Sequence, residues 1–145
     1  MVSTDSEEYK SIAEKYGAEV ILREKELASD TATSFMVVKD VLSRIEVKPH
    51  YFVLLQPTSP FRNSKHIRDA VNIYENNTLA NYLVSVTESE KSSSLIKEIN
   101  DFSMRNYDID YSGYRRQKHK EYYPNGAIFI GDVDSYLKKK AFFWY

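Results

Sequence analysis

Residues 51–55 are apolar at every position and run into the polar segment Gln-Pro-Thr-Ser-Pro-Phe-Arg, and this junction constrains the fold most strongly. A strand that is apolar throughout is typical of a parallel sheet covered by helices on both faces. Ligands of such sheets bind beyond the carboxyl ends of the strands, which is where Gln56, Thr58 and Ser59 fall. The alternative is a plain strand-to-helix connection, braced by its two prolines, whose hydroxyl groups only cap the next helix.

Segments with helical and strand periodicity alternate along most of the chain. Helices are predicted after capping boxes at residues 4–8, from about residue 31, after Asn63 or Ser64, and over residues 133–140. Strands are predicted at residues 20–22, 51–55, 82–86 and 127–130. This alternation predicts an α/β fold, namely a Rossmann-like, mostly parallel sheet layered with helices.

Residues 87–123 lose this alternation. They contain a triplet of serines and five tyrosines among charged residues, a composition too aromatic for a disordered segment. We therefore expect residues 1–145 to form a single domain that carries an inserted segment at about residues 87–123.

Composition excludes several classes of function. Twenty Lys and Arg residues against 21 Asp and Glu residues give a formal charge of −1, so no global basic field attracts nucleic acid or an anionic membrane. The absence of cysteine removes disulfides and thiolate chemistry, and the three histidines lack metal-ligand spacing. With no long apolar run and a polar start, the chain is expected to be a cytoplasmic protein.

Four segments occur in an order and spacing that resemble the CMP-sialic acid synthetases, also called acylneuraminate cytidylyltransferases. They are residues 2–5, Arg23 with residues 26–31, residues 54–60, and residues 124–130. The resemblance covers nearly the whole chain. It implies a homodimeric, magnesium-dependent nucleotidyltransferase that joins CTP to a nine-carbon 2-keto sugar acid and releases pyrophosphate.

The resemblance also predicts which family segments this sequence lacks. With four glycines in all, the chain has no glycine-rich phosphate loop, and the acidic magnesium-binding motif of the family is not found. Asp108 and Asp110 have the spacing of that motif but precede residues 124–126, so we expect solvated carboxylates and assign no metal ligand. The chain is thus expected to be truncated at both ends and incomplete as an enzyme on its own.

Two residues are candidates for nucleotide binding. Arg23 follows an apolar strand, and its guanidinium can bind phosphate or hydroxyl oxygens in a fork. From the residues alone, a surface arginine paired with Glu24 or Glu26 stays open. Ser34 stands near the start of a predicted helix, where a serine by itself is read as a cap, whereas the resemblance implies a contact to cytosine.

The candidates for sugar binding lie on two segments. Gln56 donates and accepts hydrogen bonds at once, which suits a sugar carboxylate or hydroxyl, and Thr58 and Ser59 follow it. Asn125 stands in a Pro-Asn-Gly sequence that by itself indicates a turn, with Gly126 tolerating a positive φ. The resemblance implies that the strand after this turn lines the sugar pocket.

Residues 115–120 form the one concentrated basic cluster of the sequence. The residues alone allow a solvated loop, or an RNA-binding patch in which nearby tyrosines stack on bases. The resemblance implies instead that one arginine reaches the sugar in the partner subunit, where aromatic side chains line the same pocket. These partner-subunit candidates are Arg115 or Arg116, with Phe129, Phe142 and Phe143.

Three hypotheses of function follow. The first is the cytidylyltransferase, acting on N-acetylneuraminate or a related legionaminate or pseudaminate. The second is a non-catalytic, dimerising remnant or interaction module of the same fold. The third and weakest is an RNA-binding domain that uses the basic cluster.

Overall fold

A computed structural model of the chain describes residues 1–96, 112 and 120–141. The α/β architecture predicted from the sequence is confirmed, with a parallel sheet and helices. No helix within the described ranges is long and apolar enough to cross a membrane. The elements are β1 Val2–Thr4, α1 Glu7–Lys15, β2 Val20–Leu22, α2 Ser34–Ser43, β3 Tyr51–Leu54, α3 Ser64–Glu75, β4 Tyr82–Glu88, β5 Tyr122–Asp132 and α4 Val133–Lys139, with short 3-10 turns at Lys25–Ala28 and Ser93–Leu95.

The described strands form two sheets. Strands β1 and β2 are parallel, with Thr4 opposite Leu22, and the second sheet has the order β3-β5-β4. Ser85 bonds to Ile128 while Ser89 bonds to Glu121, and this reversed order makes β4 and β5 antiparallel. The chain divides into two compact units, Met1–Phe52 with Gly131–Tyr145, and Val53–Ile130.

In the first unit, helix α1 begins one or two residues later than its predicted caps. Ser6 is the cap, and its hydroxyl accepts from the N–H of Tyr9. Thr4 is instead committed to β1, buried, and its hydroxyl accepts from the N–H of Ser6 at 3.2 Å. The helix ends before Gly17, whose φ of +78° is the left-handed conformation expected of a helix terminator.

The core of the first unit centres on Tyr136 of α4, which is 1% exposed. Its ring packs against Phe35 of α2 and Phe52 of β3, with centroid distances of 5.6 and 4.9 Å. Val38 and Val133 are buried in the same unit. Three elements distant in sequence thus share one aromatic cluster.

In the second unit, helix α3 has the predicted boundaries. The Asn63 side chain accepts from two backbone N–H groups of the first turn, and Asn76 follows the last helical residue. Ala70 is buried on the inner face of this helix. Ile128 and Ile130 of β5, 4% and 0% exposed, are the most buried apolar residues of the unit.

Candidate functional site

Arg23 lies at the carboxyl end of the parallel β1–β2 pair. It follows β2 directly, as Asp5 follows β1, and its N–H donates to the Thr4 carbonyl at 2.9 Å. The guanidinium Nη2 is 3.6 Å from Asp5 Oδ1. The alternative left open by the sequence, an ion pair with Glu24 or Glu26, is not found among the described residues; Arg23 pairs with Asp5 instead, at the strand ends where parallel sheets bind ligands.

The Arg23 side chain keeps unused hydrogen-bonding capacity. Its Nε is buried without a hydrogen-bond partner among the described residues, as is the hydroxyl of Ser3. The contact to Asp5 is long, and the Asp5 side chain is 48% exposed, so this ion pair contributes little to stability. A guanidinium in this state has donors available for a phosphate or hydroxyl oxygen.

Ser34 is the first residue of α2, and its predicted alternative role as a cap belongs to its neighbour. Thr33 is the cap, with its hydroxyl accepting from the N–H of Met36 at 3.3 Å. Ser34 is exposed, and within the described part of the chain no hydrogen bond is made by its side chain. Its hydroxyl is thus available to a ligand.

Gln56 begins the polar turn after β3, in the second unit. Its carbonyl accepts from the N–H of Ser59 at 3.3 Å, which closes the turn. Gln56 and Ser59 are half-buried and Thr58 is exposed. The turn therefore fixes the backbone of Gln56 and leaves its side chain to be placed by another element.

That element is the glycine of the Pro-Asn-Gly sequence in β5. Gly126 has φ +75°, and a Cβ atom added to it would lie 3.0 Å from Oε1 of Gln56. The Gln56 amide therefore lies across the bare backbone of Gly126, at a distance that a larger residue would not permit. The structure thus brings together the two segments that carry the sugar-binding candidates.

Asn125 is held by the neighbouring strand β4. Its Oδ1 accepts from the Ser85 hydroxyl at 2.6 Å and from the N–H of Ala127 at 3.1 Å. Its Nδ2 donates to the Thr87 hydroxyl at 3.0 Å. These three hydrogen bonds use most of the donors and acceptors of the Asn125 amide to stabilise the strand. One N–H of the amide remains uncommitted in this set.

Ser85 compensates for the irregular backbone at Gly126. Its hydroxyl accepts from the N–H of Ile128 at 2.8 Å and lies 3.2 Å from the carbonyl oxygen of the same residue. A left-handed residue inside a strand disrupts the ladder of backbone hydrogen bonds, and here the N–H of Ile128 bonds to a side chain. Sequence reasoning missed Ser85 and Thr87, although two hydroxyl residues at strand spacing were a usable signal.

Arg62 follows the polar turn that Gln56 begins, and it was also not identified as a site residue from the sequence. Its Nη1 donates to the Ala127 carbonyl at 2.7 Å, and the residue is half-buried. Within the described residues no carboxylate lies within ion-pair distance of it. The signal in the sequence was an arginine directly after the proline-braced turn.

Glu121 ties together the two ends of the predicted insertion. Its carboxylate accepts from the N–H and the hydroxyl of Ser93, at 2.5 and 2.9 Å, and from the Ser92 hydroxyl at 3.2 Å. Its carbonyl accepts from the N–H of Ser89 at 2.7 Å. Residues 89–93 are thereby fixed to the start of β5.

The remaining candidates are placed only in part. Phe129 is half-buried in β5. The described residues contain no group of three or more His, Cys, Asp or Glu side chains that could hold a metal ion. The candidates outside the described residues are Arg115, Arg116, Phe142 and Phe143, together with Asp108 and Asp110.

Comparison with known proteins decides the family. The family model described as Cytidylyltransferase matches residues 1–144. The chain belongs to this family. The resemblance found in the sequence, which covered nearly the same residues, is confirmed.

Individual relatives include proteins named as N-acylneuraminate cytidylyltransferases. The N-acylneuraminate cytidylyltransferase of Escherichia coli O18:K1:H7 is 51% identical over 99% of this chain and 34% of that protein. The N-acylneuraminate cytidylyltransferase of Streptococcus agalactiae serotype V is 46% identical over 98% of this chain and 34% of its own length. The CMP-N,N'-diacetyllegionaminic acid synthase of Legionella pneumophila is 32% identical over 99% of this chain and 63% of its length. The chain thus spans about a third of the first two relatives.

Proposed function

We propose that the protein to which this chain belongs transfers the cytidylyl group of CTP to a nine-carbon 2-keto sugar acid of the sialic acid type. The observation that carries the proposal is the Gln56 amide lying across Gly126, which joins the two segments of the sugar-site candidates. Family membership supplies the reaction class. Over nearly the whole chain, two relatives named for acylneuraminate are 51% and 46% identical and one named for legionaminic acid is 32% identical, which favours sialic acid as the substrate.

The reaction is an in-line displacement at phosphorus. The anomeric hydroxyl oxygen of the sugar forms a bond to the α-phosphorus of CTP, and the bond from that phosphorus to the bridging oxygen of pyrophosphate breaks. Pyrophosphate departs with the electron pair, and the hydroxyl proton passes to solvent. Catalysis of such a step depends on positioning the two reactants and on neutralising phosphate charge.

The described residues divide between the two substrates. Arg23, with unused donors at the end of β2, and Ser34, with an available hydroxyl, are proposed to bind the nucleotide. Gln56, Thr58 and Ser59 are proposed to bind the sugar.

Asn125 completes the sugar set in a more limited way. Because its amide is largely committed to β4 and β5, we assign it at most one hydrogen bond to the sugar, besides its role in shaping the strand.

The proposed assembly is a homodimer of single-domain subunits in which the segment at about residues 87–123 reaches the partner. Arg115 or Arg116 would contact the partner's sugar, with Phe129, Phe142 and Phe143 lining the shared pocket. The resemblance to the family supports this arrangement. The anchoring of both ends of the segment by Glu121 supports it too, because an element that reaches a partner needs a fixed base.

Magnesium is the cofactor expected from the family. When bound, it would neutralise charge on the triphosphate. The described residues do not fit this role, since they contain no cluster of three potential metal ligands. The site roles proposed above therefore rest on the chain's own donors.

A reaction that consumes CTP also favours the cytoplasm as its compartment.

Pyrophosphate release from CTP tests the function. The full-length natural protein is assayed with magnesium and N-acetylneuraminate, N,N'-diacetyllegionaminate or pseudaminate, and the CMP-sugar is identified by mass spectrometry. We expect turnover with N-acetylneuraminate at a kcat/KM above that for the other two. A folded dimer that releases no pyrophosphate with any of these acids would favour the non-catalytic module instead.

A further inference from the structure

Arg62 is a half-buried cation beside the proposed sugar site, and it has no acidic partner among the residues that the structure describes. Its Nη1 donates to the carbonyl of Ala127 at 2.7 Å. Ala127 is the residue after Gly126, across which the Gln56 amide lies. We propose that Arg62 binds the carboxylate of the sugar acid and thereby selects acids over neutral sugars, an inference that rests on the proposed function.

The contact to Ala127 orients the guanidinium and leaves it able to bind an anion. A guanidinium carries five N–H donors, and the described residues engage one atom of it, Nη1. A backbone carbonyl neutralises no charge, so the cation keeps its full attraction for an anion. Because one donor is already fixed, less side-chain freedom is lost when a carboxylate binds to the others.

Partial burial of Arg62 strengthens the attraction between its guanidinium and a bound anion. Arg23 and Arg44 are paired with Asp5 and Asp40. Arg62 and Arg68 have no ion pair within the described ranges, and of these two only Arg62 is half-buried. If Arg62 only held β5, a neutral donor would perform the same task without the cost of partly desolvating a charge. The combination of charge, partial burial and proximity to Gln56 points to an anionic ligand.

The assignment is tested by removing either the negative charge of the sugar carboxylate or the positive charge of Arg62. Dissociation constants are measured by calorimetry for N-acetylneuraminate and for its C1 methyl ester, with the wild-type full-length protein and with Arg62→Met. A hydrogen bond to a charged group corresponds to about a 10- to 100-fold change in affinity, so the wild type should bind the acid more tightly than the ester by about that factor. In Arg62→Met, most of this preference for the acid over the ester should be lost.

Two control variants separate recognition from folding. Arg68→Met removes an equally basic side chain from the exposed face of α3 and should preserve the preference for the acid. Arg62→Lys retains a charge and should keep part of that preference. If Arg62 has a merely structural role, Arg62→Met will weaken acid and ester by the same factor, and the carboxylate assignment is wrong.

The nucleotide is the other source of an anion near the site. A loss of CTP affinity in Arg62→Met, with the preference for the acid retained, would move Arg62 to a phosphate and overturn the inference. Wild-type protein that binds neither CTP nor the sugar acid would instead refute the proposed function. The two failures are therefore distinguishable in one set of titrations.

Discussion

Gly126→Ala should weaken sugar binding by displacing Gln56. The Cβ atom of the new alanine would lie 3.0 Å from Oε1 of Gln56, closer than ordinary van der Waals contact. Because Oε1 is at the far end of a flexible side chain, the amide can rotate away instead of distorting the strand. The variant is therefore expected to remain folded and to lose the orientation of one side chain.

The size of the effect can be worked out in two parts. A left-handed conformation costs a non-glycine residue about 1–2 kcal/mol, and the stiffer unfolded chain of alanine offsets about 0.4–1 kcal/mol of this. The difference between these two terms means that Gly126→Ala should lose between about 0 and 1.6 kcal/mol of unfolding free energy. Losing one hydrogen bond to the sugar, worth about 0.5–1.5 kcal/mol, should raise the dissociation constant of the sugar about 2- to 10-fold.

Gly17→Ala is the matched control, because it isolates the backbone effect. Gly17 has φ +78°, almost the same as Gly126, and no atom of the described residues lies within 4 Å of the Cβ that alanine would add. Both variants should therefore lose similar stability in urea unfolding. Calorimetric titration with N-acetylneuraminate should show weaker binding for Gly126→Ala alone.

A double variant sharpens the test. In a Gln56→Ala background the new Cβ has no amide to displace, so adding Gly126→Ala should cause no further loss of sugar affinity. The reasoning is refuted if Gly126→Ala binds the sugar as tightly as Gly17→Ala does. It is also refuted if the two substitutions have fully additive effects on sugar binding.

Two further pairs of variants test the division of roles and the support of the strand. Gln56→Ala should weaken sugar binding with CTP binding nearly intact, and Arg23→Ala should do the reverse; equal losses for both ligands in both variants, measured by titration, would contradict the assignment. Ser85→Ala leaves the N–H of Ile128 without its acceptor and should cost about 1–3 kcal/mol of unfolding free energy in urea. Thr87→Val removes one exposed contact to a side chain and should cost less than Ser85→Ala; the reverse order would contradict the bonding scheme.

Elements whose signals are local in sequence could be predicted. Helix α3 carries its own cap at Asn63 and its own stop at Asn76, and both were identified from the chain alone. The cap of α1 was misplaced because Thr4 is drawn into β1 by pairing with Leu22, a contact between strands that no local pattern records. Ser6 then takes over the role of the cap. Tertiary pairing thus decided a boundary that propensity left open.

The candidate site was predictable only where one segment carried the signal. Gln56 was identified because it follows an apolar strand, and Asn125 because of the Pro-Asn-Gly pattern together with the family resemblance. Ser85 was not identified, because its role arises only when β4 lies beside β5. Its bonding partner Ile128 is 43 residues away in the sequence. Arg62 was missed for the same reason, since its carbonyl partner is 65 residues away.

These long-range bonds explain why one glycine can organise the sugar-site candidates. The absence of a Cβ atom at Gly126 makes room for the Gln56 amide, and the positive φ of Gly126 breaks the regular geometry of β5. The two residues after Gly126 are both bonded by side chains: the carbonyl of Ala127 accepts from Arg62, and the N–H of Ile128 donates to Ser85. Because unpaired backbone groups inside a protein are costly, the two side chains stabilise the irregular strand by bonding backbone groups next to the glycine. The irregular backbone and its two supporting residues therefore form one unit, and a change in any of them should be felt first at Gln56.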